Sequence, residues 1–147
     1  MTATLIIYLD TSALLKQYIQ ETGSEQVIKL LGAASSSGTN LLAYVEMASA
    51  IARAVRMKLI PVDEAQATWK DFLVDWELLV RLDISGQITK RAAALAWEHG
   101  LRGYDAMHFA SALAWQDAID TPVTLATYDR DLWSAAQKAG MAVWPEK

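Results

Sequence analysis

The stretch Leu5-Ile6-Ile7-Tyr8-Leu9-Asp10-Thr11-Ser12-Ala13-Leu14-Leu15 restricts what this chain can fold into more than any other. Its first half is apolar without alternation, the pattern of a strand buried on both faces of a parallel sheet. It ends abruptly in an acid, and the apolar spacing after Thr11 and Ser12 turns helical. Asp10 therefore stands at a strand's carboxyl end, where open α/β sheets bind their ligands. Asp, Thr and Ser also cap helices, so helix capping competes with chemistry as an explanation of Asp10.

The same alternation continues. Residues 12–20 read as helix, and Ser24 caps a second helix that Gly32 stops. The small, polar residues 33–38 read as a loop, with a short strand at 39–42. Residues 43–58 form an amphipathic helix with Tyr44, Val45, Met47, Ala48, Ile51, Ala52 and Val55 on its apolar side and Glu46 as its one acid. Asp63 and Gln66 have the form of a capping box for the next helix, whose Asp71, Asp75 and Glu77 read as a solvated face. Residues 78–82 are a strand or the end of that helix, and Asp83-Ile84-Ser85 favours a strand leading to a new cap. Helices follow at 88–99 and 104–115, then a buried strand at 123–127 that ends in a second acid, Asp129. Residues 131–139 are helical and 142–144 form a last strand. Strands alternating with helices imply right-handed crossovers and a three-layer α/β/α sandwich around a mostly parallel sheet.

The 147 residues suit one domain spanning 1–147. No apolar run reaches the roughly 18 residues of a membrane span, and Met1-Thr2-Ala3-Thr4 lacks a basic leader region, so a soluble chain is expected. The absence of cysteine suits a reducing cytoplasm. The formal charge of −4 argues against a broad basic surface for nucleic acid, although cations held by clustered acids would reverse the local field.

In a parallel sheet the carboxyl ends of strands and the amino ends of helices share one edge. Asp10 and Asp129, which follow strands, and Glu46 and Asp105, near helix starts, can converge there. Carboxylates gathered so closely repel unless something positive lies between them, and Mg²⁺ or Mn²⁺ are natural partners for all-oxygen ligands. Such a site suits phosphodiester hydrolysis. Taken singly, Asp105 could complement a helix dipole and Glu46 could be a solvated residue. Asp131 reads as a cap or surface acid, and His108, one turn after Asp105, as a core or hydrogen-bonded side chain. His99 has still less claim. The six tryptophans read mostly as core, with one or two left for a partner surface.

Four motifs in order resemble the PIN-domain proteins, and more narrowly the VapC type of toxin. They are Tyr8-Leu9-Asp10-Thr11-Ser12-Ala13-Leu14, the isolated Glu46, Gly103-Tyr104-Asp105-Ala106-Met107-His108-Phe109-Ala110-Ser111-Ala112-Leu113, and Leu125-Ala126-Thr127-Tyr128-Asp129-Arg130-Asp131-Leu132. The resemblance implies a PIN-like fold and an acidic cluster of Asp10, Glu46, Asp105 and Asp129 as catalytic and metal-binding residues. Asp131 is available as an alternative to Asp129. Thr11 or Ser12 would orient Asp10 or a metal-bound water, and Thr127 would be the hydroxyl residue before the last acid. It also implies Mg²⁺- or Mn²⁺-dependent endonucleolytic cleavage of RNA, a homodimer, and inhibition by a cognate antitoxin. Lys16, Arg53 or Arg130 would meet the RNA backbone.

Rival classes fit less well. Haloacid dehalogenase-like phosphatases also place an Asp after the first strand, but need a second Asp where this chain has Ser12. Response-regulator receivers need an acidic pair there, and none is present. A catalytically silent PIN-like interaction module is opposed by the full set of acids.

Overall fold

The structure is a computed structural model and describes residues 4–147. The leader expectation at residues 1–3 lies outside the described residues. Five strands form one sheet in the order β3-β2-β1-β4-β5, every neighbouring pair parallel. They are β1 (Ile6–Leu9), β2 (Ser36–Asn40), β3 (Val80–Leu82), β4 (Thr124–Ala126) and β5 (Ala142–Trp144). Seven helices cover the sheet: α1 (Thr11–Leu15), α2 (Ser24–Ala33), α3 (Leu42–Arg56), α4 (Val62–Trp76), α5 (Gly86–His99), α6 (Gly103–Ile119) and α7 (Arg130–Lys138). This is the expected three-layer α/β/α architecture.

β1 is central and buried along its whole length, as its unbroken apolar run requires. Its side chains divide between two cores. Ile6 and Tyr8 join Phe109, Trp115, Leu125 and Leu132, whereas Ile7 and Leu9 join Leu14, Val27, Met47, Phe72 and Trp76. One core therefore packs under α5, α6 and α7, and the other under α1 to α4. Chain order runs outward from β1 through β2 to β3, then returns to β4 on the opposite side of β1. The gap between the carboxyl ends of β1 and β4 is thus the topological switch point, where crossovers diverge and leave a crevice. The register pairs Leu9 with Ala126, and the Asp10 N–H extends the ladder to the Ala126 carbonyl at 3.2 Å. Asp10 and Thr127 are consequently neighbours at the sheet's edge.

Several local expectations are corrected. The strand expected at 39–42 is β2 at Ser36–Asn40, which begins inside the supposed loop and ends two residues early. Its small residues are needed because a Cβ on Gly38 would approach the Val80 carbonyl to 2.9 Å and the Trp115 ring to 3.0 Å. Asn40 then accepts the Ala43 N–H and donates to Ser111, tying the start of α3 to α6. α1 is shorter than expected, and its cap is Asp10 itself rather than Thr11 or Ser12. Gly23, at φ 96°, precedes α2, while Ser24 turns its hydroxyl back to the Ile19 carbonyl and the Glu21 N–H. α2 continues through Gly32 to Ala33.

No capping box forms at Asp63, because α4 starts one residue earlier, behind Pro61. Asp75 leaves the solvated face to accept the Tyr18 hydroxyl at 2.7 Å. On α3 the buried side is Ala43, Met47, Ile51 and Ala54, so Val45, Ala48 and Ala52 face outward. Trp97 on α5 is 91% exposed, in contrast to buried Trp76 and Trp115. Among the described residues, no helix is long and apolar enough to cross a membrane.

Candidate active site

Four acids reach the switch-point crevice from four different places in the chain. Asp10 follows β1, Glu46 lies in the second turn of α3, Asp105 in the first turn of α6, and Asp129 just after β4 as the cap of α7. Together with Thr11, Ser12, Arg102, Tyr104 and His108 they line a cleft of about 260 Å³. Asp131 does not line it. It sits exposed in the first turn of α7, whereas Asp129 caps that helix by accepting the Leu132 N–H at 2.9 Å. The convergence expected for the four acids is present, with Asp129 rather than Asp131 in the cleft.

Asp10 is 3% exposed and held by neutral donors. Its Oδ1 accepts from the Ser12 hydroxyl at 2.7 Å and the Ala13 N–H at 3.0 Å, and its Oδ2 accepts from the Thr127 hydroxyl at 2.5 Å. Ser12 also accepts the Tyr128 N–H, and Thr127 the Asp129 N–H, both at 2.9 Å. The two hydroxyls thus act as struts between the β1 and β4 ends. Capping and membership of the acid cluster coexist at Asp10. Burial pushes its carboxyl above the usual range, against the opposing pull of His108 and of these hydrogen bonds.

Glu46 is held by a relay reaching through the core. Its Oε1 accepts from the Thr11 hydroxyl at 2.8 Å and lies 2.7 Å from His108 Nε2. His108 Nδ1 lies 2.7 Å from the hydroxyl of Tyr8, on β1. A carboxylate can only accept, so Nε2 carries a proton, and in the neutral ring Nδ1 accepts from Tyr8. Burial keeps the Tyr8 phenol protonated well above its ordinary range, which suits that donor role. Burial alone would raise the Glu46 carboxyl, but the hydrogen bond and charge of His108, with Thr11, outweigh it and hold the group below its ordinary value.

Asp105 and Asp129 share one cation. Arg102 Nε donates to Asp105 Oδ2 at 3.0 Å, and its Nη2 donates to Asp129 Oδ2 at 2.7 Å. Arg102 stands at the cap position of α6 in extended conformation, which puts its side chain across the helix's first turn. Burial and the Asp129 charge push the Asp105 carboxyl up by more than Arg102 and His108 draw it down.

Sequence reading missed Arg102 and Tyr104 and undervalued His108. The offset of three between Arg102 and Asp105, adjacent on a helix face, was a usable signal for the first. Of the cations expected to meet a substrate, Lys16 is committed to Glu21, the Thr22 carbonyl and the face of the Tyr128 ring. Arg53, in the last turn of α3, does not line the cleft. Arg130 lines a second cleft of about 420 Å³ that shares Asp129 with the first and adds Trp133 and Lys147.

Among the described residues, no three acids or histidines stand close enough to enclose an ion as their side chains are placed. The donor set nevertheless suits a hard divalent cation: four carboxylates at one cleft, two of them disfavoured as anions by burial, and no sulfur. The position expected to hold a phosphatase's second acid holds Ser12, whose hydroxyl is spent on Asp10.

The PIN-domain family model matches residues 7–138. Ribonuclease VapC45 of Mycobacterium tuberculosis is 34% identical over 143 residues, covering 95% of each chain. Ribonuclease VapC3 of Pyrobaculum aerophilum is 32% identical over 108 residues, 72% of this chain and 80% of that one. The fold is also that of VapBC2 from Rickettsia felis, solved bound to a promoter DNA fragment, with a TM-score of 0.63 at 15% identity over 95% of this chain and 97% of that one. The chain therefore belongs to the PIN-domain family and, within it, to the VapC type.

Proposed function

We propose that this protein is a Mg²⁺- or Mn²⁺-dependent endoribonuclease and the toxin of a toxin–antitoxin pair. The observation that carries the reading is the meeting of Asp10, Glu46, Asp105 and Asp129 in one cleft at the switch point of the sheet. Relatives named as VapC ribonucleases and a structural neighbour named as a toxin–antitoxin complex support it.

In this reading the four acids hold the cation, which when bound supplies Lewis-acid activation of water and neutralises charge at the phosphate. Ser12 and Thr127 keep Asp10 aimed into the cleft, and Thr11 and His108 do the same for Glu46. Tyr104, 57% exposed beside Asp105, offers a face for a base at the cleft's mouth. Arg130 and Lys147 in the adjoining cleft meet backbone phosphates on one side of the cut. The crevice suits single-stranded or looped RNA, whose bases can splay out. A second copy of this chain and a cognate antitoxin are the partners, in the cytoplasm. Outward-facing Val45, at 64% exposure, and Trp97 provide apolar surface for them to cover.

The test is incubation of purified protein with total RNA and Mg²⁺, comparing the wild type with Asp10→Asn. Cleavage by the wild type alone is expected, and equal cleavage by both would refute the acid-cluster mechanism. Expression without an antitoxin should arrest growth, and Asp105→Asn should restore it.

A further inference from the structure

Among the described residues, Arg102 is the only lysine or arginine lining the acidic cleft, and it is bonded to two of the four acids at once. We propose that Arg102 is an internal cation that competes with the divalent ion for Asp105 and Asp129, and that its guanidinium, once displaced, grips the phosphate of the bound RNA. The inference rests on the ribonuclease reading for the identity of the phosphate, but not for the competition itself.

Three features support the exchange. The first is stoichiometry. A single guanidinium spans the carboxylates of Asp105 and Asp129, donating through Nε to one Oδ2 and through Nη2 to the other. An ion drawing on those oxygens would meet a like charge already bonded to them, so the two cations repel and one must leave. The second is the mobility of the tether. Asp10 and Glu46 are held by short side chains and an N–H on packed elements, whereas the Arg102 side chain is long and 69% exposed. Exposed ion pairs are weak and easily exchanged.

The third is the destination. A released guanidinium is anchored at residue 102, three residues before Asp105, and so remains beside the metal-binding acids. Its planar fork matches two phosphate oxygens better than an ammonium does. The side chain thus balances Asp105 and Asp129 in the free protein and balances substrate charge in the complex.

The experiment measures Mn²⁺ affinity by calorimetry or electron paramagnetic resonance, without RNA, for the wild type, Arg102→Gln and Arg102→Lys. Because two ion pairs made by one exposed guanidinium oppose the ion, Arg102→Gln should bind Mn²⁺ severalfold to about tenfold more tightly than the wild type. Arg102→Lys should fall between them. Single-turnover RNA cleavage at saturating Mn²⁺ should nevertheless drop at least about tenfold in Arg102→Gln and recover only partly in Arg102→Lys. Unchanged or weaker Mn²⁺ binding by Arg102→Gln would overturn the competition. Undiminished cleavage by that variant would overturn the phosphate contact. Tighter binding in a protein whose wild type cuts no RNA would leave the competition standing and remove the ribonuclease reading. Cleavage abolished by Asp10→Asn alongside unchanged Mn²⁺ affinity in Arg102→Gln would do the reverse.

Discussion

Asp10 and Glu46 differ from Asp105 and Asp129 in what answers their charge. The first pair is met by hydroxyls, an N–H and a histidine, all supplied by packed elements. The second pair is met by one long, exposed guanidinium. Hydroxyl, N–H and imidazole donors fix the positions of Asp10 and Glu46, while the single guanidinium offsets one charge of the Asp105 and Asp129 pair until it is displaced. One half of the cluster is therefore preorganised and the other exchangeable, and substitutions in the two halves should fail differently.

The largest effect is expected at the centre of the preorganised half. Asp10→Asn should lower RNA cleavage by more than the roughly 10- to 100-fold that outer-shell partners of a metal site cost. Its amide oxygen can still cap α1, so the melting temperature should change little. Retention of activity in a gel assay would show that the division of roles is wrong.

His108→Ala comes next. It removes the link between Tyr8 and Glu46 and should weaken Mn²⁺ binding about 10- to 100-fold, with His108→Gln recovering part of the loss by donating an amide N–H to Glu46. A lower melting temperature with unaltered Mn²⁺ affinity would reduce His108 to a packing residue.

The pH dependence of stability should separate Asp105 from Glu46 by sign. Because the Asp105 carboxyl is raised in the folded chain, that chain holds its proton more tightly than the unfolded one. Between the ordinary carboxylate range and the raised value, stability therefore falls as pH increases. In metal-free melts from about pH 4 to about pH 8, Asp105→Asn should gain on the wild type through that window, each kcal/mol appearing as about 2–4 °C. Added Mg²⁺ should close the gap. Glu46 has the opposite sign: its lowered value contributes stability above the ordinary carboxylate range that is lost as pH falls. Glu46→Gln should lose ground as pH rises through the window just below the ordinary carboxylate range, and its deficit should stay constant across the higher window where Asp105→Asn gains.

The smallest effect is expected outside both halves. Asp131→Asn should leave cleavage within about twofold and stability within about 0.5 kcal/mol, as for an exposed acid away from the cleft. A large loss in an otherwise folded protein would bring Asp131 back as the fourth acid.

What could be read from sequence was carried by local patterns. The buried run of β1 with its terminal acid and the cap at Ser85 appear where expected. The polar strand β2 was misread because its register depends on a Trp115 ring far along the chain. Ser24 and Asp63 carry good capping chemistry, but tertiary hydrogen bonds and the turn at Pro61 decide otherwise.

The order of strands and helices and the placement of acids at one sheet edge were determined by sequence alone, through the periods of apolar residues and the abrupt ends of two buried strands. Only the tertiary structure decided what each acid touches. The Tyr8 to His108 contact spans 100 residues, Thr127 to Asp10 spans 117, and Arg102 to Asp129 spans 27. Hydropathy patterns specify which face of an element is buried and hold no information about which distant hydroxyl or guanidinium meets a given carboxylate. That choice comes from strand register at the β1–β4 junction and from the turn into α6, and it divides four similar acids into a fixed pair and an exchangeable one.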